Sequence, residues 1–361
     1  MTGHATGPLA NPPIPRPVRV LIVDDSATMR KLIAIRLRSD PRINVVGEAA
    51  DTQQARRAIA ALRPDVLTLD VEMPGQSGIE FLREIMRLRP LPVIMVSSET
   101  QSGSAAAVEA LCSGAIDCVG KPRPGYGNTG FADLPALVVE AAGADLRRRR
   151  PPMPRPPPMP SQGFAWNGRI LLIGASTGGV EAVERIIAAL PVNCPPTLIV
   201  QHMPPDFLDS FAQRLNQRHA PQIALADDGA PLQQGRVLIA PGGAEHLALG
   251  LERGLRCRLL AQDKVNGHRP SVDMLFGSGV GVARRIVAVT LSGMGSDGAM
   301  GMLALRRAGA ACLAQDQASS VVWGMPRIAW QIGAAERLVS LDRMAGALLD
   351  LTGVQGSERG D

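Results

Sequence analysis

The sequence contains few aromatic residues and almost no lysine. Among its 361 residues are six Phe, three Trp and one Tyr, and lysine occurs only at Lys31, Lys121 and Lys264. Proteins that hold single-stranded nucleic acid usually stack its bases on aromatic side chains, so this composition argues against a nucleic-acid partner. Uninterrupted apolar runs stay well below the roughly 18 residues that a membrane-spanning helix needs. We therefore expect no insertion into a membrane.

Cysteine is also scarce. The five cysteines are scattered and lack the short paired spacings of zinc sites. They are Cys112, Cys118, Cys194, Cys257 and Cys312. An odd, scattered set argues against a disulfide framework and predicts a protein of the reducing cytoplasm. The first 17 residues carry five prolines and no apolar segment, unlike a secretory signal.

The excess of positive charge is confined to one short segment. The formal net charge is +5, from 38 Lys and Arg against 33 Asp and Glu. Arg147–Arg150 and Arg155 supply five positive charges within nine residues, and without them each sign counts 33. We interpret these arginines as part of a solvated linker rather than as a nucleic-acid patch.

A proline-rich stretch divides the chain, which is long enough for two domains. Residues 151–160 include seven prolines, so they favour polyproline II and cannot lie inside a sheet or helix. The predicted organisation is a disordered extension (1–17), a first α/β domain (18–142), a Pro/Arg-rich linker (143–167), a second α/β domain (168–353) and a flexible tail (354–361).

Strand and helix patterns alternate in the first part. Val18–Val23 is an apolar run typical of a buried strand, and Ser26 is placed to cap a helix that ends near Arg38. The other predicted strands are 43–46, 66–69, 92–96 and 116–119, and the other predicted helices lie near 52–62, 78–88 and 102–112. Five strands alternating with helices predict a doubly wound parallel sheet, in which ligands bind at the carboxyl ends of the strands.

The pattern restarts after the linker, which predicts a second α/β unit. Predicted strands are 169–173, 197–200, 286–291 and 311–315, with helices from 179 to about 190 and from about 299 to 308. Residues 236–240 and 246–249 flank Pro241-Gly242-Gly243, and we predict that they form a strand pair around this turn.

Acidic residues and a lysine follow the strands of the first part. Asp24 and Asp25 follow the first strand, Asp70 ends the third, Ser97 ends the fourth and Lys121 follows the fifth. Clustered carboxylates repel one another, and Mg²⁺ removes that conflict. An aspartate beside Mg²⁺ and lysine is suited to attack a phosphoryl donor. Each of these residues alone would more simply be interpreted as a helix cap or a loop residue. Because all of them lie at the ends of strands, together they predict a phosphorylation pocket.

A serine, a histidine and an aspartate follow strands of the second part. Ser176 lies between Gly174 and Gly178 at a strand-to-helix turn, His202 follows the next strand, and Asp297 lies in a glycine-rich loop. Ser–His–Asp supplies a nucleophile, its base and an acid that orients the base. The spacing leaves alternatives open, because such a turn is more often a phosphate cradle and a strand-end histidine is often structural. The order Ser, His, Asp differs from that of α/β-hydrolases.

Residues 18–140 resemble the receiver domain of bacterial response regulators, which is flavodoxin-like. The resemblance implies that Asp70 is phosphorylated by a histidine kinase, that Asp24 and Asp25 bind Mg²⁺ with Asp70, and that Glu72 lends its backbone carbonyl to the metal. It also implies that Ser97 and Lys121 contact the phosphoryl group. Receivers usually have an aromatic switch residue three positions before the lysine, where this chain has Cys118.

Residues 169–352 resemble the catalytic domain of the CheB family of chemotaxis methylesterases, which is Rossmann-like. The matching segments are Gly174–Gly179, Gln201–Pro204, His268–Asp273, Ser292–Gly298 and Val322–Pro326. The resemblance implies that Ser176 is the nucleophile, His202 the base and Asp297 the orienting acid. It implies that Thr177, His268 and Met294 line the site, with Met294 near the oxyanion hole.

Together the two resemblances imply an enzyme that hydrolyses γ-glutamyl methyl esters of chemoreceptors, releases methanol and deamidates certain receptor glutamines. No cofactor is expected for the esterase. The unphosphorylated receiver is expected to cover the esterase cleft. Two other hypotheses remain open. The second half could be a binding domain without catalytic activity, or the protein could be a transcription factor with a receiver domain. The second half lacks a basic helix-turn-helix pattern, which counts against the latter.

Overall fold

The computed structural model describes residues 16–98, 101–122, 131–144, 146, 164–251 and 254–354. The arginine run 147–150, the proline-rich stretch 151–160 and most of the predicted terminal segments 1–17 and 354–361 lie outside the described residues. Among the described residues, no helix is both long and apolar enough to cross a membrane.

The first α/β unit is built on a five-stranded parallel sheet with the order β2-β1-β3-β4-β5. Its strands are β1 (Val18–Val23), β2 (Ile43–Ala49), β3 (Val66–Asp70), β4 (Val93–Ser97) and β5 (Asp117–Gly120). Its helices are α1 (Ala27–Arg38), α2 (Thr52–Leu62), α3 (Gly78–Leu88), α4 (Gln101–Cys112) and α5 (Leu134–Ala141). The doubly wound sheet is confirmed, whereas α5 was not predicted.

Local signals explain where these helices begin. Ser26 caps α1 as predicted, because its side chain accepts a hydrogen bond from the Met29 N–H. Ser77 and Glu80 form a reciprocal capping box at the start of α3. Strands β3 and β4 are buried at every position, as expected for strands covered by helices on both faces.

The second unit is built on a seven-stranded sheet with the order β14-β13-β12-β6-β7-β9-β8, in which all recorded pairs are parallel. The strands of this unit are β6 (Ile170–Ala175), β7 (Thr197–Gln201), β8 (Gln222–Leu225), β9 (Arg236–Ile239), β10 (His246–Gly250), β11 (Arg256–Leu260), β12 (Ile286–Thr290), β13 (Ala311–Gln315) and β14 (Arg337–Val339). Its helices are α6 (Gly179–Ala189), α7 (Pro205–Arg218), α8 (Val272–Ser278), α9 (Ala299–Arg307), α10 (Met325–Gln331) and α11 (Leu341–Thr352), with a 3₁₀ segment at Val280–Arg285.

The predicted strand pair around Pro241-Gly242-Gly243 is wrong. Strand β9 lies between β7 and β8 in the parallel sheet, and β10 pairs antiparallel with β11 instead. Val237, Leu238 and Ile239 are all buried, so both faces of β9 need cover. Strand β10 is also buried, at four of its five positions, but α8 and β11 cover it instead of the seven-stranded sheet. Burial therefore identifies both segments as strands without identifying the partner of either one.

The two units pack against each other. Helix α4 contacts α6 and α7, and one cluster of buried apolar side chains includes residues of both units, such as Leu111 and Val183. At the edge of this interface the Gly178 N–H donates a hydrogen bond to the Ile116 carbonyl, at 3.1 Å. The packing places the end of β5 beside the turn that carries Ser176.

Candidate active site

The predicted nucleophile lies in a tight turn between β6 and α6. Ser176 directly follows β6, and its N–H donates to the Ser292 carbonyl at 3.0 Å. Gly178, the cap of α6, has φ +72°, a left-handed conformation that favours glycine. The turn leaves Ser176 buried (7% exposed) beside the N-terminus of a helix, where backbone N–H groups can stabilise negative charge.

His202 and Asp297 meet beside this turn as predicted. His202 follows β7, and its Nε2 lies 2.9 Å from Asp297 Oδ2. An ionised carboxylate at that distance keeps the imidazole proton on Nε2. Nδ1 is buried and has no hydrogen-bond partner among the described residues. The nitrogen that is free to accept a proton is therefore Nδ1.

Asp297 is held by several donors. Its Oδ1 accepts hydrogen bonds from Ser271 Oγ (2.8 Å) and Asn266 Nδ2 (3.0 Å), and its Oδ2 also accepts from the Val272 N–H (2.7 Å). Burial alone would raise the pKa of Asp297, but the contacts with His202, Asn266 and Ser271 hold that pKa well below its usual range. The carboxyl group is therefore ionised at neutral pH. Neither Asn266 nor Ser271 was predicted from the sequence to act in this site.

His268 lies face to face with His202. The two ring centroids are 3.9 Å apart and the ring planes differ by 8°. Burial, with the neighbouring His202, lowers the pKa of His268 to about 4, so its ring is neutral at pH 7. A cavity of about 880 Å³ is lined by His202 and His268 together with Ser176, Thr177 and Met294. The structure thus brings all six sequence-predicted residues of this site together.

The acidic residues of the receiver half also converge. Asp24, Asp25 and Asp70 each place a carboxylate oxygen within 4.8 Å of the others. Lys121 Nζ lies 2.7 Å from Asp70 Oδ2 and 3.5 Å from Asp24 Oδ2. Burial raises the pKa of Asp70 to about 6 and also raises that of Asp24. Asp24 Oδ2 is buried and has no hydrogen-bond partner among the described residues, so this pocket has unsatisfied capacity for a cation.

Two further predicted residues flank this pocket. Ser97 is buried at the carboxyl end of β4. Glu72 lies two residues beyond Asp70, and its N–H donates to Asp70 Oδ1 at 3.2 Å. Both residues therefore lie at the edge of the sheet where the sequence analysis expected them.

Cys118 is buried in β5, and burial raises the pKa of its thiol well above the usual value. The thiol is therefore not a reactive nucleophile.

Asp117, the residue before Cys118, was not predicted to be part of the site, yet it lines the active-site cavity. Thr177 Oγ1 donates a hydrogen bond of 2.6 Å to Asp117 Oδ2. No sequence signal marks this contact, because it depends on how the two units pack.

Comparisons with known proteins agree with this architecture. The model of the response regulator receiver domain matches residues 20–125, and that of the CheB methylesterase matches residues 171–348. The crystal structure of the Thermotoga maritima CheB methylesterase catalytic domain is similar with a TM-score of 0.50 and 35% identity, covering 52% of this chain and all of that one.

Full-length relatives match nearly the whole chain. Protein-glutamate methylesterase/protein-glutamine glutaminase 1 of Caulobacter vibrioides is 52% identical over 336 residues, covering 92% of this chain and 98% of that protein. The protein of the same name from Agrobacterium fabrum, without the number, is 50% identical over 339 residues, covering 92% of this chain and 96% of its own. With a receiver domain ahead of a CheB methylesterase domain, the chain belongs to the protein-glutamate methylesterase/protein-glutamine glutaminase family.

Proposed function

We propose that this protein hydrolyses glutamate methyl esters on chemoreceptors, releasing methanol, and deamidates certain receptor glutamines, under control of phosphorylation at Asp70. The observation that carries the proposal is the pairing of His202 Nε2 with Asp297 at 2.9 Å, while buried Nδ1 has no hydrogen-bond partner among the described residues, in the cavity that Ser176 also lines. This arrangement suits acyl transfer through a serine.

The chemistry begins when Ser176 Oγ attacks the side-chain carbonyl carbon and its proton passes to His202 Nδ1. Asp297 stabilises the imidazolium that forms. The tetrahedral intermediate then collapses, and methanol leaves with the proton from His202. Water, deprotonated by His202, hydrolyses the acyl-enzyme and releases glutamate. A glutamine substrate follows the same steps with ammonia as the leaving group.

Negative charge develops on the carbonyl oxygen in both tetrahedral states. The Gly178 N–H at the start of α6 donates to the receiver's Ile116 carbonyl and would be free to stabilise this charge once the receiver moves, and Met294 lines the same cavity. His268 supports the base by stacking on its ring. Because His268 is neutral at pH 7, it adds no positive charge that would oppose protonation of His202.

The receiver pocket fits a divalent cation. Asp24, Asp25 and Asp70 converge, and Asp24 Oδ2 is buried without a hydrogen-bond partner among the described residues apart from its 3.5 Å ion pair with Lys121, which supports a ligand role for Asp24. We assign these three carboxylates and the Glu72 carbonyl as Mg²⁺ ligands. The cation would neutralise the carboxylates and the incoming phosphoryl oxygens. Asp70 Oδ attacks the phosphorus of a histidine kinase's phosphohistidine, and Ser97 and Lys121 hold the transferred group.

Regulation follows from the position of the receiver. Residues 18–142 form the receiver domain in this proposal, 143–167 the linker and 168–353 the esterase domain. Asp117, Lys121 and Phe131 of the receiver line the same cavity as Ser176, so a large substrate segment cannot reach the serine until the receiver moves. The partners are chemoreceptors as substrates and a histidine kinase as phosphodonor. The five cysteines are free, which supports a cytoplasmic location.

The direct test measures methanol release from methylated receptor fragments, with and without Mg²⁺ and a small phosphodonor. Ser176→Ala should lower the rate by about 10⁴-fold or more while the protein stays folded. Ser296→Ala, which removes an exposed serine hydroxyl next to Asp297, is the matched control and should retain activity. Asp70→Asn should take up no phosphoryl group and gain nothing from the phosphodonor. Full activity in folded Ser176→Ala enzyme would refute Ser176 as the nucleophile, whereas absence of methanol release by the wild-type protein would leave a non-catalytic output as the better explanation.

A further inference from the structure

One carboxylate of the receiver reaches the residue next to the nucleophile. Asp117 Oδ2 accepts the 2.6 Å hydrogen bond from Thr177 Oγ1, and Asp117 Oδ1 accepts one of 2.8 Å from the Cys118 N–H. The Gly178 N–H to Ile116 carbonyl bond fixes the backbone on either side of this contact. The Cys118 N–H of the same strand thus orients the Asp117 carboxylate, and the other carboxylate oxygen contacts Thr177 in the turn that carries Ser176.

The Asp117 carboxylate that contacts Thr177 resembles the carboxylate that the reaction produces. The reaction turns an ester carbonyl into a carboxylate, with negative oxygen formed on the way. A hydroxyl beside the nucleophile is a natural donor to such an oxygen. An aspartate side chain presents the same carboxylate as the glutamate product and is one methylene shorter. While Asp117 holds the Thr177 hydroxyl, that hydroxyl cannot donate to a substrate.

We propose that Asp117 is an internal competitor of the substrate: its carboxylate occupies the Thr177 hydroxyl, which in the open enzyme donates its hydrogen bond to the glutamyl group. The proposal rests on the proposed function and specifies how the receiver inhibits. Inhibition then depends on this one hydrogen bond at the catalytic turn in addition to steric cover.

The same strand joins this contact to the phosphorylation pocket. Strand β5 begins at Asp117 and ends at Gly120, and Lys121 follows with its Nζ on Asp70. A phosphoryl group on Asp70 gives Lys121 a new partner and so acts on the strand that positions Asp117.

The test uses the full-length chain and measures methanol release before and after saturating phosphodonor. Asp117→Ala should raise the unphosphorylated rate by roughly ten-fold, the size expected for losing one buried hydrogen bond. The gain from phosphodonor should shrink by the same factor. Glu140→Gln is the matched control, because Glu140 is another receiver carboxyl group, one that interacts with Arg327 of the esterase half. It should leave the unphosphorylated rate within about two-fold.

Thr177→Val supplies the decisive comparison. It should slow the phosphorylated enzyme, since the substrate loses a donor, and in this background Asp117→Ala should no longer raise the unphosphorylated rate. An equal rise in both backgrounds would overturn the proposal, because Asp117 would then act through the interface in general. An unchanged rate in Asp117→Ala enzyme, while wild-type protein releases methanol and responds to phosphodonor, would overturn it too. Absence of methanol release by wild-type protein would instead contradict the proposed function.

Discussion

Replacing Asp297 by alanine would remove two functions of this carboxylate, which orients His202 and accepts hydrogen bonds from main-chain N–H groups. Oδ2 accepts from His202 Nε2 at 2.9 Å and from the Val272 N–H at 2.7 Å, while Oδ1 accepts from the Asp273 N–H at 3.2 Å. Alanine leaves the imidazole without an orienting partner. It also leaves two main-chain donors without an acceptor in a site that is 2% exposed.

Both losses can be estimated. Each buried donor left unpaired costs about 1–3 kcal/mol, so the free energy of unfolding should fall by roughly 2–6 kcal/mol. For catalysis, loss of the orienting acid from a serine triad lowers kcat by about 10⁴-fold. The decrease should lie in kcat rather than in KM, because Asp297 acts on the imidazolium that forms in the transition state.

The stability loss should depend on pH. The pKa of Asp297 is lower in the folded protein than the usual 3.8. Its contribution to stability is therefore complete above that usual value and is lost as the pH falls towards the folded-state pKa. Denaturant unfolding of wild type and Asp297→Ala should differ most at pH 7 and differ less below pH about 4.

Asp297→Asn is the companion variant. It fills the same space and can keep part of the hydrogen bonding, so it should lose less stability than alanine. It lacks the negative charge, so it should lose most of the activity. If folded Asp297→Asn enzyme kept more than a tenth of the wild-type kcat, an ionised acid on His202 would not be required and the assignment of Asp297 would be wrong.

Two further perturbations follow from the fold. Gly78→Ala would place a Cβ 1.8 Å from the Asp70 carbonyl, whereas exposed Gly346 has nothing within 4 Å. In urea unfolding the first should lose about 1–3 kcal/mol and the second should gain ~0.5–1 kcal/mol; a stable, normally phosphorylated Gly78→Ala would contradict this packing. An esterase fragment beginning at Phe164, which retains the Trp166–Gly353 bridge, should release methanol faster than the unphosphorylated full-length protein and ignore Mg²⁺ and phosphodonor. A slower fragment would mean that the receiver recruits substrate instead of covering the site.

The sequence predicts those parts of the site that depend on strand ends. Asp24 and Asp70, like Ser176 and His202, follow parallel strands, and parallel strands bring their carboxyl ends to one edge. Their convergence therefore follows from the strand pattern alone. Helix α1 was equally predictable, because the Ser26 cap is a local signal.

Other features depend on contacts that no local pattern records. The partner of β9 was mispredicted because neighbours in sequence were taken as neighbours in the sheet. Asn266 donates to Asp297 from a loop 31 positions away. Loops lack the periodic sequence pattern of helices and strands, so the position of Asn266 could not be predicted. The Thr177–Asp117 contact joins two separately folded units across 60 positions. Packing between domains decides such contacts.

Strand β5 connects the phosphorylation pocket with Thr177, and this connection has a thermodynamic consequence for substrate binding. If phosphorylation at the Lys121 end weakens the contact at the Asp117 end, substrate binding at Thr177 must favour the phosphorylated receiver by the same factor, because coupling between two sites is reciprocal. Phosphorylation would then be thermodynamically more favourable for an enzyme bound to a methylated receptor than for a free one. Phosphorylated enzyme would accumulate where unhydrolysed esters remain, so the receptor array would in part set the activity of its own esterase.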